Sequence, residues 1–195
     1  MKIVTSWDDA SHHDIRLAEL LLKYNLPATF YVPNCCELSD EQIRWLDSKG
    51  FTIAGHTVNH PQDLKKLSHP DLAFEIESNK QYLEKIIGRE ITKFCYPRGR
   101  YNKQVIEAVK RAGYEEARIT KLFRLLKSKE PFQTGTTIHI FQRPEYDGVD
   151  WFKVAKEYLE IARNTENSIF HIWGHSNEIH RDNNWEKLEE LFKLL

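Results

Sequence analysis

Hydrophobic positions along the chain form two kinds of segment that alternate. Short runs rich in β-branched, aromatic and other apolar residues predict seven strands, at 2–7, 28–32, 51–54, 93–96, 115–119, 136–140 and 168–173. Between them, apolar residues recur at intervals of three and four, which is the period of an amphipathic helix. This second pattern predicts six helices, at 13–24, 39–50, 71–88, 102–113, 150–163 and 184–195.

Repeated strand–helix alternation is typical of a parallel sheet whose strands are joined by helical crossovers. Seven strand candidates within 195 residues predict one α/β domain spanning 1–195, folded as a distorted or incomplete (β/α) barrel of about seven parallel strands. An open doubly wound sheet is the alternative arrangement of the same elements. Residues 121–135 show neither period, and we expect them to form a long loop.

Composition narrows the class of protein. Hydrophobic residues make up 41% of the chain, charged residues 29%, and the net charge is −1, so no basic surface for nucleic acid is indicated. No apolar run is long enough to cross a bilayer, and the start MKIVTSWDD does not resemble a signal peptide. The three cysteines, Cys35, Cys36 and Cys95, form no C-x-x-C pair and predict no disulfide framework. A cytoplasmic location is therefore the expectation, while the oligomeric state is left open.

Polar residues cluster just after the predicted strands. Asp8 and Asp9 follow the first strand and His56 and His60 the third. Arg98 follows the fourth strand and His175 the last. In parallel α/β folds the carboxyl ends of the strands meet at one face, where binding and catalytic sites are built. We therefore expect these side chains to converge on one mouth.

A metal site is the simplest explanation of this convergence. His56 and His60 are four residues apart, a spacing that places both imidazoles on one side of a helical turn, although a packed histidine is the alternative for each. Asp9 is the natural third ligand, and two imidazoles with one carboxylate leave a zinc site open to water or substrate. Zn²⁺ is expected, and Co²⁺ or Ni²⁺ would suit the same donors. Asp8 then remains beside the metal, free to accept a proton.

Four segments resemble the motifs of the polysaccharide deacetylases, a family of carbohydrate esterases. Ser6-Trp7-Asp8-Asp9-Ala10 is similar to the family's Thr-Phe-Asp-Asp-Gly, and His56-Thr57-Val58-Asn59-His60 to its His-Thr-x-x-His. Cys95-Tyr96-Pro97-Arg98-Gly99 and the apolar run from Phe170 to His175 resemble the third and last motifs. The resemblance extends over about residues 3 to 176.

This resemblance implies a distorted α/β barrel that binds one divalent metal, usually zinc. By position, Asp9, His56 and His60 would be the ligands and Asp8 the general base. His175 would be the general acid, and the backbone N–H of Arg98 would help to hold the oxyanion.

The implied reaction is removal of N-acetyl groups from an amino sugar or oligosaccharide. One alternative is a deformylase or amidase that acts on another amide-bearing or carrier-linked sugar with the same metal centre. Another is a carbohydrate-binding barrel with no catalytic activity. Fold analogy alone does not distinguish them.

The chain departs from the family motifs at three positions. Ala10 stands in place of a glycine, Arg98 in place of a tyrosine, and Cys95 in place of the arginine that braces the catalytic aspartate. We expect Arg118, near the end of the fifth predicted strand, to supply the missing charge to Asp8; a surface arginine is the alternative.

The segment Asp147 to Trp151 resembles the family's fourth motif in its letters, yet a predicted strand separates it from the expected place. We therefore interpret Asp150 as the cap of the helix that follows it.

Overall fold

The computed structural model describes residues 1–195 and contains one curled sheet of seven strands, all parallel, in the order β5-β4-β3-β2-β1-β7-β6. The strands are β1 (Lys2–Asp8), β2 (Ala28–Val32), β3 (Thr52–Gly55), β4 (Lys93–Cys95), β5 (Glu116–Arg118), β6 (Ile138–His139) and β7 (Ile169–Gly174). The sheet forms a half-barrel, so the predicted incomplete α/β barrel is confirmed and the open doubly wound alternative is not observed.

Helices connect all successive strands except β5 and β6, and two more follow β7. They are α1 (Asp14–Lys23), α2 (Asp40–Ser48), α3 (His69–Ala73), α4 (Asn79–Ile87), α5 (Lys103–Arg111), α6 (Trp151–Arg163), α7 (Ser176–Arg181) and α8 (Trp185–Lys193). A π-helical turn, Phe74–Ser78, joins α3 to α4, so the predicted helix 71–88 is a composite of three pieces. Helix α7 was not predicted, because six residues are too few to display a helical period. None of these helices is both long and apolar enough to cross a lipid bilayer.

The two faces of the sheet differ in polarity. Alternate residues of a strand point to opposite faces, and Trp7 of β1 is fully buried in a core cluster of 44 residues. On the other face of β1, Val4 and Ser6 line the inside of the half-barrel, and Asp8 follows them at its upper end. The inside of the half-barrel is therefore polar, and it leads to the carboxyl ends of the strands.

The open side of the half-barrel lies between β5 and β6. The predicted loop 121–135 lies there and bonds to β5, while Thr137, just after the loop, bonds to β7. Thr134 forms a parallel bridge with Arg118 of β5, while the N–H of Thr137 donates to the carbonyl of His171 in β7 at 2.9 Å. We call this junction, at Arg118, Thr134 and Thr137, the seam.

Candidate active site

The three predicted metal ligands meet at the carboxyl ends of β1 and β3. Asp9 Oδ1 lies 3.4 Å from His56 Nε2 and 3.4 Å from His60 Nε2. The Nδ1–H of His56 donates to the carbonyl oxygen of Cys95 at 2.8 Å, so the lone pair of Nε2 faces Asp9. Asp9 Oδ1 is buried and has no hydrogen-bond partner. A carboxylate oxygen and two imidazole nitrogens that converge in this way suit a divalent cation.

Charge at this cluster also suits a cation. Burial alone would raise the pKa of Asp9, but the close contact and charge of His56 hold it well below its usual range. Burial and the neighbouring His56 lower the pKa of His60, which favours a neutral imidazole. Burial disfavours protonated His56, yet Cys95 and Asp9 raise its pKa well above the ordinary value. A proton and a divalent cation are therefore alternative partners for the Asp9 carboxylate.

The loop that carries His56 and His60 is held by two residues of the α3–α4 helix. Glu75, in the π-helical turn, accepts from the backbone N–H of Val58 at 2.9 Å and from that of Asn59 at 2.8 Å. Asn79 Oδ1 accepts from the N–H of His56 at 2.9 Å. A π-helical turn frequently marks a functional site, and here it directs Glu75 toward the loop.

The sequence analysis overlooked Glu75 and Asn79, although the pattern contained a signal for them. Both residues occupy the apolar stripe of the predicted helix 71–88, and Glu75 is 6% exposed and Asn79 0% exposed. Polar residues in such a stripe need buried partners, and a binding loop can supply them.

Asp8 is paired with Arg118, as we expected because Cys95 stands in place of the motif arginine. Arg118 Nη2 donates to Asp8 Oδ2 and, at 2.9 Å, to Cys95 Sγ. Arg118 is 2% exposed, so the alternative of a surface arginine is wrong. Its guanidinium carbon lies 5.0 Å from the ring centroid of Tyr31 and 4.5 Å from that of Trp173, so two aromatic faces fix its plane. Burial opposes the charge, but Asp8 and Cys95 raise the pKa of Arg118, and the guanidinium stays protonated.

His175 lies on the other side of Asp9, with its Nε2 3.7 Å from Asp9 Oδ2. Its Nδ1 lies 2.8 Å from Glu178 Oε2, and the carboxylate can only accept, so Nδ1 carries a proton. Burial lowers the pKa of His175, but the Glu178 contact together with the charges of Asp8 and Asp9 outweighs burial, and the net shift is upward. His139 Nε2 is 3.4 Å from the same Glu178 oxygen. Glu178 was missed because it lies on the unpredicted helix α7.

The remaining candidates have simpler surroundings. Arg98 lies in a short 3₁₀ turn after β4 with φ 57, beside the mouth of the site. Ala10 has φ 50, a left-handed conformation that an L-residue reaches at a cost of about 1–2 kcal/mol. Asp150 caps α6, where Oδ1 accepts from the N–H of Phe152 at 3.0 Å and Oδ2 from Lys187 at 3.1 Å.

Left-handed backbone is concentrated around these ligands. Five residues other than glycine adopt positive φ close to the site: Asp9 (75), Ala10 (50), Thr57 (71), His60 (48) and Arg98 (57). Such conformations cost free energy and persist where the surrounding contacts determine the backbone, which is common at functional sites.

Comparison with known proteins places these residues in a family context. The family described as "Polysaccharide deacetylase" matches residues 2–117, more than half of the chain. That range contains Asp8, Asp9, His56, His60 and Arg98; His175 lies beyond it.

Individual relatives agree with this match. The peptidoglycan-N-acetylmuramic acid deacetylase PdaA of Bacillus subtilis is 26% identical over 102 residues, which are 51% of this chain and 38% of PdaA. The Streptococcus pyogenes deacetylase PplD, solved in complex with acetate, superposes with a TM-score of 0.63 and 25% identity over 68% of this chain and 62% of that one. The chain spans less than two fifths of the length of the curated relatives it matches.

One similar structure is not an active enzyme. The Bacillus anthracis protein BA3943, described as a CE4 family pseudoenzyme, superposes with a TM-score of 0.68 and 12% identity, over 99% of this chain and 61% of that one. Similarity at this level shows the fold alone, so activity has to be judged from the side chains of the site.

Proposed function

This chain belongs to the polysaccharide deacetylase family, and from that premise we propose that it is a metal-dependent hydrolase that removes N-acetyl groups from an amino sugar or oligosaccharide. The observation that carries the proposal is the convergence of Asp9, His56 and His60 beside Asp8 and His175. The set contains ligands, a base and an acid within one mouth.

Asp9, His56 and His60 would hold the metal ion, with Zn²⁺ the best match to one carboxylate and two imidazoles, and Co²⁺ or Ni²⁺ as substitutes. When bound, such an ion lowers the pKa of water to about 7 and polarises the substrate carbonyl. The Cys95 carbonyl keeps His56 in the tautomer that ligation requires, and Glu75 and Asn79 keep the ligand loop in place.

Asp8 is the group placed to accept a proton from the attacking water. Its Oδ2 is occupied by Arg118, while its Oδ1 is buried and has no hydrogen-bond partner. The free oxygen can therefore take the proton, and the bonded oxygen fixes the plane of the carboxylate. In this assignment Arg118 positions the base without touching the substrate.

His175 is the group placed to protonate the departing amine, which is too poor a leaving group to depart as an anion. Glu178 accepts from Nδ1, so Nε2 is the nitrogen that faces the site and delivers the proton. The backbone N–H of Arg98 is proposed to donate to the oxyanion, and a donor of this type contributes about 3 kcal/mol to the transition state.

Two other functions remain candidates. A formyl or other acyl amide on a carrier-linked sugar would use the same groups, because the leaving amine and the carbonyl are alike. A carbohydrate-binding barrel would need neither a base nor an acid, so Asp8 with its dedicated Arg118 weighs against it.

Measurement of released acetate from chitooligosaccharides, with and without added Zn²⁺, tests the proposal. Zinc-dependent release would support it, and release of formate from an N-formylated sugar in a parallel assay would favour the acyl alternative. Saturable sugar binding without any release, with metal bound, would favour the binding barrel.

A further inference from the structure

A second cavity occupies the inside of the half-barrel, at the end opposite the candidate active site. Its volume is about 920 Å³, and the residues at its mouth begin their strands: Lys2 in β1, Lys93 in β4, Glu116 in β5 and Ile169 in β7. None of Asp8, Asp9, His56, His60 and His175 lines it, and Arg118 is the one residue of the site that does. We call this space the lumen.

Two polar atoms that face the lumen have no hydrogen-bond partner in the protein. His171 is 7% exposed; its Nε2 lies 2.8 Å from Ser6 Oγ, but its Nδ1 forms no hydrogen bond. The Tyr31 hydroxyl, on a residue 6% exposed, also forms none. Both atoms are open to the lumen and free to bond to an occupant. Arg118, which lines the same cavity, has two buried nitrogens, Nε and Nη1, without a hydrogen-bond partner. Buried polar atoms are nearly always satisfied, so these guanidinium nitrogens indicate a polar occupant of the lumen.

The charges of the side chains around the lumen determine whether it favours a cation or an anion. Five cationic side chains line it, Lys2, Lys93, Arg118, Arg124 and Lys127, against two acidic ones, Glu115 and Glu116. Glu116 is paired with Lys93 at 2.8 Å and Arg118 with Asp8, which leaves Lys2, Arg124 and Lys127 against Glu115, so the remaining field is positive. Burial together with Arg118 and Lys93 lowers the pKa of His171 to about 3, and the same field that repels a proton attracts an anion.

We propose that the lumen binds a small oxyanion, a carboxylate or phosphate group, held by Lys93, the Tyr31 hydroxyl and His171 Nδ1. In this assignment the Ser6 hydroxyl donates to Nε2, and neutral His171 carries its proton on Nδ1, where it offers a donor to the lumen. All three groups donate hydrogen bonds, which suits an acceptor-only ligand.

The test is a titration of protein with ¹⁵N-labelled histidine, followed through the imidazole resonances. Inorganic phosphate and acetate are added separately at constant ionic strength near neutral pH. The His171 resonances are expected to shift and saturate, and the tighter anion identifies the phosphate or the carboxylate as the ligand group. Shifts confined to His56, His60 and His175 would place the anion at the metal site and overturn the proposal, as would the absence of any shift.

Matched variants localise the site. Lys93→Met is expected to weaken binding by about tenfold or more, the usual effect of losing one charge-assisted hydrogen bond. Lys110→Met breaks a comparable ion pair with Glu107 on α5, away from the lumen, and is expected to leave binding unchanged. Equal weakening by Lys93→Met and Lys110→Met would also overturn the proposal.

Discussion

Arg118 and Asp8, separated by 110 residues in the sequence, form a buried ion pair beneath the candidate metal ligands. Cys95 and Arg118 are direct neighbours across the β4–β5 ladder, so the guanidinium reaches the place that the motif arginine would occupy. Compared with the family motif, the cation that pairs with Asp8 therefore comes from the neighbouring strand, β5, and the carboxylate is the same. Exchange between adjacent strands at one level keeps the direction of the hydrogen bond to Asp8.

Loss of this pair should affect turnover more than metal binding. Arg118→Met leaves Asp8 buried without its cation, and kcat is expected to fall by about 10–100-fold, the usual effect of losing a positioning partner. Metal content should stay near one ion per chain, because no ligand contacts Arg118. Turnover with metal analysis checks both parts, and near-normal kcat would contradict the positioning role.

A second substitution provides the control for that variant. Cys95→Arg in the Arg118→Met background returns a guanidinium from the neighbouring strand, and we expect part of the lost kcat to return. Asp150→Asn should change only the cap of α6, lowering the free energy of unfolding by about 1 kcal/mol. Collapse of activity in Asp150→Asn would instead assign the catalytic role to that residue.

The adjacent aspartates should respond differently to the same change. Asp9→Asn is expected to weaken metal binding, because an amide oxygen is a poorer ligand than a carboxylate. Asp8→Asn should keep the metal and lower kcat by about 10²–10⁴-fold through loss of the base. Metal content measured beside kcat separates the two roles, and an Asp8→Asn enzyme with ordinary turnover would show that another group accepts the proton.

Loss of the contacts between Glu75 and the ligand loop should lower the metal affinity. Glu75→Gln removes the charge that holds the Val58 and Asn59 amides, and the metal affinity is expected to fall by about tenfold or more. Glu77→Gln, in the same π-helical turn but exposed, is the matched control. Competition with a chelator measures both, and equal affinities in the two variants would remove Glu75 from the site.

His171, in β7, and His175, just after it, should have different functions. His175→Ala should retain the metal and lower kcat most for substrates whose leaving amine is poor. His171→Ala, which loses the Ser6 contact inside the lumen, should chiefly lower the free energy of unfolding. Rates with a series of leaving groups, together with urea unfolding, distinguish them. A larger kcat loss for His171→Ala, with the fold intact, would reverse the assignment.

Asp14 should make stability depend on pH. It is fully buried, both carboxylate oxygens lack partners, and burial raises its pKa to about 8 from an ordinary 3.8. Between these values the folded state holds a proton that the unfolded chain releases, so the free energy of unfolding falls as pH rises. Asp14→Asn cannot ionise, and its stability gain over the parent should be larger near pH 8 than near pH 5 by about 3–4 kcal/mol.

Urea unfolding at both pH values measures this difference. Glu157→Gln, an exposed carboxylate on α6, is the control and should show no such dependence. A gain for Asp14→Asn that is the same at both pH values would mean that packing, and not ionisation, explains it.

The sequence was sufficient where local pattern and chain direction determine structure. Asp8, Asp9, His56, His60 and His175 could be placed together because parallel strands bring their carboxyl ends to one face. Glu178 could not be found in this way, since its helix is too short to show a period. The predicted strand 136–140 narrows to Ile138–His139. The N–H of Thr136 bonds to Lys121 outside the sheet, whereas those of Thr137 and Ile140 still donate to His171 and Trp173 of β7. These contacts depend on distant residues that no local pattern contains.

The seam has a consequence for motion. Strand β5 is only three residues long and pairs with β4 on one side, while its other side meets Thr134 through the single bridge at Arg118. Segments with few neighbours open locally at a lower free energy than global unfolding, and amide hydrogen exchange reports that opening. The N–H of Ile119, bonded to the Thr134 carbonyl, is therefore expected to exchange sooner than amides of β1. An opening that carried Arg118 with it would separate the guanidinium from Asp8 and leave that carboxylate unaligned.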